Sequence, residues 1–480
     1  MKAFETTTKL MPHQKEAVAK VLPAKVNGLF MDMGTGKTRT AVELARIRSQ
    51  KIDHVIWFTP VTLKNNVKRE ILKHTFCTEK DIYVFDDKTN ARNTPDAMWY
   101  IVGIESMSSS ARVVFALKNI VSDQTFVVLD ESSYIKGHNS KRTKRITLFC
   151  EHSRYRTILT GTPITQGVVD LFSQMRFLSP KILGYRSFYS FAANHLVYSD
   201  KHKGLIIRSL NIDYLAKKIQ PYVYQVTKEE CLDLPPKRYK TFCCSMTKEQ
   251  HEAYERAKDE ILFEIDLEDF ESYTIFRLFS ALQGITCGFW NRRVNQDLKE
   301  ESEHEFMEIK NNRMKTLMEA VESIPPEEKV IIWTKYRYSL EQIVKRISTK
   351  YGKETVAILH GGLNKKRKEA EEEKFRERAR FLIATQATGS HGFTFNEAHY
   401  VIFYANNFKY SERLQAEDRC HRVGQKNTVL YIDIECSESI DERINSSLAR
   451  KENAVMAFKR EVDKVKATQK KKLRELVMSL

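Results

Sequence analysis

Gly34-Thr35-Gly36-Lys37-Thr38 is a short run of glycines, a cation and hydroxyls, the residue types that hold nucleotide phosphates. Backbone N–H groups in such a run wrap the β- and γ-phosphates at a helix N-terminus. Lys37 would pair with the phosphates and the Thr38 hydroxyl would bind Mg²⁺. The longer phosphate-loop pattern opens with another glycine, where this chain has Met31, so the match is Gly-x-Gly-Lys-Thr alone. A second chemical pair closes the apolar run Phe126-Val127-Val128-Leu129-Asp130-Glu131. There Asp130 would hold Mg²⁺ through water, and Glu131 would orient or deprotonate an attacking water.

Far along the chain, Gln415-Ala416-Glu417-Asp418-Arg419-Cys420-His421-Arg422 carries two arginines three residues apart. That spacing predicts a shared helix face for Arg419 and Arg422, with Gln415 one turn earlier. The pair reads either as surface charge or as arginines reaching a γ-phosphate, where transition-state stabilisation is worth about 10³-fold or more in rate. A phosphate loop in one lobe and such arginines in another imply ATP bound between lobes that its hydrolysis moves. That is the layout of a motor on nucleic acid.

The elements that must aim these residues are legible as alternating apolar runs and helix-like segments, the pattern of a parallel sheet flanked by helices. Expected strands are Gly28–Asp32, Val55–Thr59, Trp99–Gly103, Phe126–Asp130 and Arg156–Thr160. Each ends in a polar or glycine turn, where open α/β sheets place their ligands. The pattern returns at Val330–Thr334, Val356–Gly361, Arg380–Thr385, Tyr400–Tyr404 and Val429–Ile434, so two similar α/β lobes are expected. Between them, about Leu183 to Arg313, the alternation is missing and charged helical stretches such as Lys248–Asp269 appear. Leu234-Pro235-Pro236-Lys237 reads as the link between lobes. The expected organisation is an ATP-binding lobe over residues 1–230, with a helical insertion at about 183–222, then a linker and insertion over 231–310. A second lobe over 311–440 and a basic helical tail over 441–480 complete it. The Lys464–Arg474 run of that tail reads as a solvated face, with a brace against DNA as the minority reading.

Composition agrees without deciding. The 480 residues suffice for two or three cores, and 42% hydrophobic content is that of a folded chain. The net charge of +17 favours polyanions. Eight cysteines without a Cys-x-x-Cys pair argue against zinc and a disulfide framework. No apolar run approaches a membrane span, so a soluble intracellular protein is expected.

Leu159-Thr160-Gly161-Thr162-Pro163 ends a further strand and reads as a hydroxyl-rich switch or as an ordinary turn. With it, the motif set resembles the Swi/Snf-type ATPases of helicase superfamily two. Leu10-Met11-Pro12-His13-Gln14 is similar to that family's adenine-sensing element, and Ile135-Lys136 and Ser140 extend its second motif. Asp170-Leu171-Phe172, Phe177-Leu178-Ser179-Pro180, Leu234–Lys237 with Gln250 and Tyr254, His360-Gly361-Gly362 and Gln415–Gln425 follow in the family's order. The resemblance spans roughly Leu10 to Arg443. Gly392-Phe393-Thr394-Phe395 with Gln415–Arg419 looks most like the branch of annealing helicases and fork remodellers. Two segments depart from the pattern: Ser132-Ser133 replaces the family's Ala-His, and Ala384–Gly392 departs from its glycine-rich fifth motif.

The resemblance implies RecA-like lobes with helical insertions between them and a C-terminal helical brace. It implies ATP and Mg²⁺, with Gln14, Met33, Gly34, Thr35, Gly36, Lys37, Thr38 and Gln415 at the nucleotide and Ser133, Thr160 and Thr162 coupling hydrolysis to DNA. By position it implies phosphate contacts from Thr62 and Lys64 (after Pro60-Val61), Ser106 (after Glu105), Lys335 (after Thr334), Gly361, Gly362 and Thr385. Such contacts carry no sequence information. Phe289-Trp290-Asn291-Arg292-Arg293 and Tyr336-Arg337-Tyr338 read as core packing before base stacking. The expected activity is ATP-dependent translocation on double-stranded or forked DNA by a monomer. The alternatives are a strand-separating helicase on DNA or RNA, and a DNA-binding scaffold with weak ATPase, which Ser132-Ser133 motivates. The length without reader domains suggests a bacterial or phage-infected cytoplasm, or a nucleus if the source is eukaryotic.

Overall fold

Strands apolar on both faces belong inside parallel sheets covered by helices, and the sequence has two sets of them. A computed structural model describes residues 3–161, 163–164, 167–198, 206–263, 272–293, 304–391, 393–455, 457–458, 461–462 and 475–480. Thr162, Gly392, the Lys464–Arg474 run and the last residues of the charged stretch Lys248–Asp269 lie outside the described residues. The chain divides into two units, Met1–Asp233 and Leu234–Leu480.

The first unit holds strands β1 Val26–Met31, β2 Val55–Thr59, β3 Ile82–Val84, β4 Trp99–Gly103, β5 Phe126–Asp130, β6 Tyr155–Thr160, β7 Leu196–Tyr198, β8 Ile206–Ser209 and β9 Val223–Val226. Seven of these make one sheet in the order β3-β4-β2-β5-β6-β1-β9, and every pairing in it is parallel. Val55, Ile56, Trp57 and Phe58 are fully buried, as the double covering requires. One core lies on each face of the sheet. β7 and β8 form a separate antiparallel pair.

The second unit holds β10 Lys237–Cys244, β11 Phe289–Arg293, β12 His304–Glu308, β13 Val330–Thr334, β14 Val356–Leu359, β15 Phe381–Thr385, β16 Tyr400–Phe403 and β17 Val429–Cys436. Its sheet runs β10-β17-β16-β13-β15-β14, again all parallel. The fold is thus two RecA-like parallel-sheet lobes. The helices Lys248–Phe263, Ser272–Thr286 and Ile440–Ala449 share a further core with residues up to Leu480. Tyr254 closes it, its hydroxyl donating to Leu480 O at 2.8 Å and accepting from Ile440 N at 2.8 Å.

Strand β3 and strands β7 to β12 lie outside the expected strands, and β7, β8, β11 and β12 fall where helical insertions are expected. β3 is three residues long. β9 and β10 are edge strands, and β10 opens Lys237-Arg238-Tyr239-Lys240, most of it exposed. An edge strand needs one apolar neighbour rather than two, and charges on it discourage pairing with other chains. The eight cysteines are all free thiols. Among the described residues, no helix is long and apolar enough to cross a membrane.

Candidate active site

The order β5-β6-β1 brings three of the sequence motifs to one sheet edge. β6 pairs with β1 so that Thr160 faces Phe30, and with β5 so that Leu159 faces Asp130. The phosphate loop leaving β1, the carboxylates ending β5 and the Thr160-Gly161 turn ending β6 therefore adjoin. A Cβ on Gly161 would touch Met31 O at 3.3 Å and Met33 N at 3.5 Å, so only glycine lets that turn lie so near the loop.

Gly34 and Gly36 sit at φ 80° and 87°, a left-handed conformation that costs other L-residues about 1–2 kcal/mol. Gly36 caps the helix Lys37–Arg48, which turns that helix's unpaired N–H groups toward the loop. Thr38 is its half-buried second residue. Gln14 Nε2 and His13 Nε2 both donate to Thr35 O, at 3.1 and 2.8 Å. A trans peptide points its C=O and the next N–H in opposite directions, so holding that carbonyl aims the Gly36 N–H away from Gln14. Gln14 Oε1 in turn accepts from Met11 N at 3.0 Å. The Lys37 ammonium donates to Met31 O at 2.7 Å and Asp32 O at 3.1 Å.

Asp130 is half-buried, and burial, then the Glu131 charge, push its carboxyl up to about 6 against the pull of Lys37. Glu131 stands at φ 52° without being glycine, a strained conformation of the kind held at functional sites. Its backbone N–H donates to Asp130 Oδ1 at 3.0 Å, and Ser133 Oγ donates to Glu131 Oε1 at 3.0 Å. Ser132, which sequence reasoning had not placed in the site, donates to Gln174 Oε1 at 2.6 Å. Gln174 Nε2 donates onward to Pro163 O at 2.8 Å. A chain of hydrogen bonds thus joins the Asp130-Glu131 turn to Pro163, beyond the end of β6. Ser133 serves Glu131, and Ser132 makes the connection.

The donor set fits Mg²⁺: a hydroxyl and a carboxylate are hard oxygen ligands for an ion that takes the rest of its shell from phosphate and water.

In the second unit, Arg419 and Arg422 do not share a helix face. The helix Tyr410–Glu417 ends before them, and Asp418 to Gly424 are turns and bends. Gln415 remains on that helix, half-buried. Arg419 Nη1 donates to Phe393 O at 3.2 Å, and Arg422 Nη1 to Thr394 Oγ1 at 2.6 Å. Tertiary acceptors on the segment after β15, and not helical periodicity, set both guanidinium groups.

Around them lies a buried ionic network. Arg413 pairs with Glu417 at 2.8 Å and with Asp433, while its guanidinium lies 3.5 Å from the centre of the Phe403 ring. Burial would raise the Glu417 pKa, but Arg413 and Lys237 outweigh it and hold the carboxyl below its ordinary value.

The positions expected to touch DNA phosphates fall at strand ends within each unit. Thr62, exposed, follows β2, and Ser106, half-buried, follows β4. These strands are paired, and Glu105 Oε2 accepts from Val61 N at 2.9 Å. Lys64 instead donates to Phe85 O, and burial lowers its pKa. In the second unit, Lys335 and His360-Gly361-Gly362 follow β13 and β14, and Thr385 ends β15, which lies between those strands. Gly361 and Gly362 are exposed, and Thr385 Oγ1 bonds Thr388 Oγ1 at 2.7 Å. Lys335 is caged: its ammonium lies 3.1 Å from the centre of the Phe408 ring and 4.8 Å from that of Tyr336. It also donates to Gln283 Oε1 at 3.2 Å, and burial holds its pKa well below the usual lysine range. Beside Gly362, the exposed Arg337 donates through Nη1 to His360 Nδ1 at 2.8 Å; the sequence marks it only as part of the Tyr336-Arg337-Tyr338 cluster. Phe289 and Trp290 are buried, and Tyr336 and Tyr338 pack on Phe289 at 5.1 and 4.9 Å, as core residues do.

Residues 13–289 match the SNF2-related domain, and residues 309–424 match the helicase conserved C-terminal domain. A putative ATP-dependent helicase/translocase of Bacillus subtilis, YwqA, is 25% identical over 92% of this chain and 48% of its own length. The human DNA annealing helicase and endonuclease ZRANB3 is 23% identical over 92% of this chain and 40% of its own. The chain thus spans under half the length of these curated relatives. The Sulfolobus solfataricus SWI2/SNF2 ATPase core in complex with dsDNA aligns over 99% of this chain and 98% of that one, at 22% identity and a TM-score of 0.42.

Proposed function

This chain belongs to the SNF2-related domain family, and we propose that it couples ATP hydrolysis to movement along double-stranded DNA, as a translocase or remodeller. The observation that supports this most is the β5-β6-β1 edge, where the phosphate loop, the two carboxylates and the Thr160 turn adjoin.

In this reading Gly34 to Thr38 hold the phosphates through backbone N–H groups, with Met33 beside them, and Lys37 leaves its loop carbonyls to pair with the phosphates. Gln14 meets the adenine while tied to the loop through Thr35. Thr38 and Asp130 would hold Mg²⁺, which when bound neutralises phosphate charge. Glu131, steadied by Ser133, orients and deprotonates the water. Arg419 and Arg422, with Gln415 near them, act on the charge that develops at the γ-phosphate. Thr160 and Thr162 sense the phosphates, and the Ser132–Gln174 chain relays between the turns. Thr62, Ser106, Gly361, Gly362, Thr385 and Arg337 grip DNA phosphates. Lys64 and Lys335 join them only if their ammonium groups leave Phe85 O and the aromatic cage. The protein works as a monomer on duplex or forked DNA, in the manner of the annealing-helicase branch.

The test is steady-state ATP hydrolysis with no nucleic acid, single-stranded DNA, duplex DNA, a model fork and RNA, beside Glu131→Gln. Duplex or fork DNA should stimulate hydrolysis strongly, and the variant should lose it. Stimulation by single strands or RNA alone would replace the translocase with a strand-separating helicase. No stimulation by any substrate would leave a DNA-binding scaffold.

A further inference from the structure

The second unit begins at Leu234, and its first residues hold the arginine-bearing turn at its start and its middle. His421 Nε2 lies 2.8 Å from Pro235 O. A carbonyl oxygen only accepts, so Nε2 is the protonated nitrogen and the imidazole donates. Two residues on, Lys237 Nζ donates to Glu417 Oε2 at 3.0 Å, and Tyr239 OH donates to the same oxygen at 3.1 Å. Glu417 and His421 are both buried, and they stand two residues before and two after Arg419. The Glu417 backbone is held as well, its carbonyl accepting from Tyr431 OH at 2.9 Å. Pro235 and Pro236 have fixed φ, so this strip of chain is stiff where it meets the turn.

We infer that His421, with Lys237 and Tyr239 acting through Glu417, are positioning residues that lock Arg419 and Arg422 to the chain entering the second unit. The arginine turn is thereby fixed to residues 235–239. Loosening either anchor shifts the guanidinium groups, so the anchors set how fast hydrolysis proceeds. This rests on the proposed role of the two arginines at the γ-phosphate.

The experiment compares His421→Phe, which keeps a ring but no donor, with His421→Gln, whose amide Nε2 can still donate, in duplex-stimulated ATP hydrolysis. His421→Phe should lower kcat about tenfold or more with KM for ATP within about twofold of the parent, since sub-ångström misplacement acts on the chemical step. His421→Gln should recover most of that loss. Should His421→Phe lose its thermal transition, Lys237→Met with Tyr239→Phe tests the other anchor with the same split expected. Parental kcat in His421→Phe and in the double variant, beside loss in Arg419→Ala, would overturn the inference alone. A kcat loss that His421→Gln does not restore, or a rise in KM equal to it, would also overturn it. If Arg419→Ala itself hydrolysed normally, the proposed role of the arginines would fail instead.

Discussion

Asp130 is a half-buried carboxylate beside another carboxylate, and burial followed by the Glu131 charge raises its pKa from 3.8 to about 6. Ionising it is harder in the fold than in the unfolded chain. The stabilisation it gives when protonated is complete below the unfolded value and lost as pH rises through about 6. Without nucleotide or metal, this single group should remove about 2–3 kcal/mol of stability between about pH 4 and pH 7. Asp130→Asn stays neutral, so it should melt above the parent at about pH 8 and alongside it at about pH 4, while hydrolysing no ATP. Equal melting temperatures at both pH values would contradict the electrostatic account. At this scale the placement of Lys37, Asp130 and Glu131 just past the ends of β1 and β5 is legible from the chain alone, because their spacing from those strands is local. Ser132 is not, because its partner Gln174 lies 42 residues away.

The element that governs the site is the turn between β1 and the helix Lys37–Arg48. A Cβ at Gly36 would meet φ 87° and lie 2.1 Å from Gln14 Nε2. Gly36→Ala should therefore cost about 1–2 kcal/mol in thermal stability and weaken ATP binding by about tenfold or more. Adding Gln14→Ala removes the clash but not the backbone strain, so it should restore only part of the stability. The second element-scale expectation concerns the tie between turns. Ser132→Ala leaves a buried amide oxygen without its donor, a loss of about 1–3 kcal/mol. If that tie couples hydrolysis to DNA, the ratio of DNA-stimulated to basal ATPase should fall further than the basal rate does. Elements also show where periodicity misleads. The three-residue spacing of Arg419 and Arg422 suits a helix face, yet the chain leaves the helix at Glu417 because Phe393 O and Thr394 Oγ1 offer acceptors that no local pattern encodes.

At the scale of the whole molecule, the charge of +17 and the proposed contacts at strand ends predict binding to the DNA backbone. Raising monovalent salt from about 50 to about 200 mM should weaken duplex binding by about 10²-fold or more, while scrambling the duplex sequence should change affinity by less than about threefold. Fluorescence anisotropy on labelled duplexes reads both, and a strong sequence preference at constant salt would contradict backbone recognition. The two sets of central strands could be read from the chain, since strands buried on both faces must be apolar throughout. The glycine turn between β1 and its helix could be read there too, since its residues are consecutive. The remaining features come from tertiary structure. It brought β10 to the edge of the second sheet, where polar residues are tolerated and leave no apolar signal. It caged Lys335 among aromatic rings while leaving Arg337 exposed beside Gly362. It tied Arg419 and Arg422 to a segment that spacing could not name, because a hydrogen bond depends on which atoms the fold brings within 3 Å or so, and the chain does not list those neighbours in order.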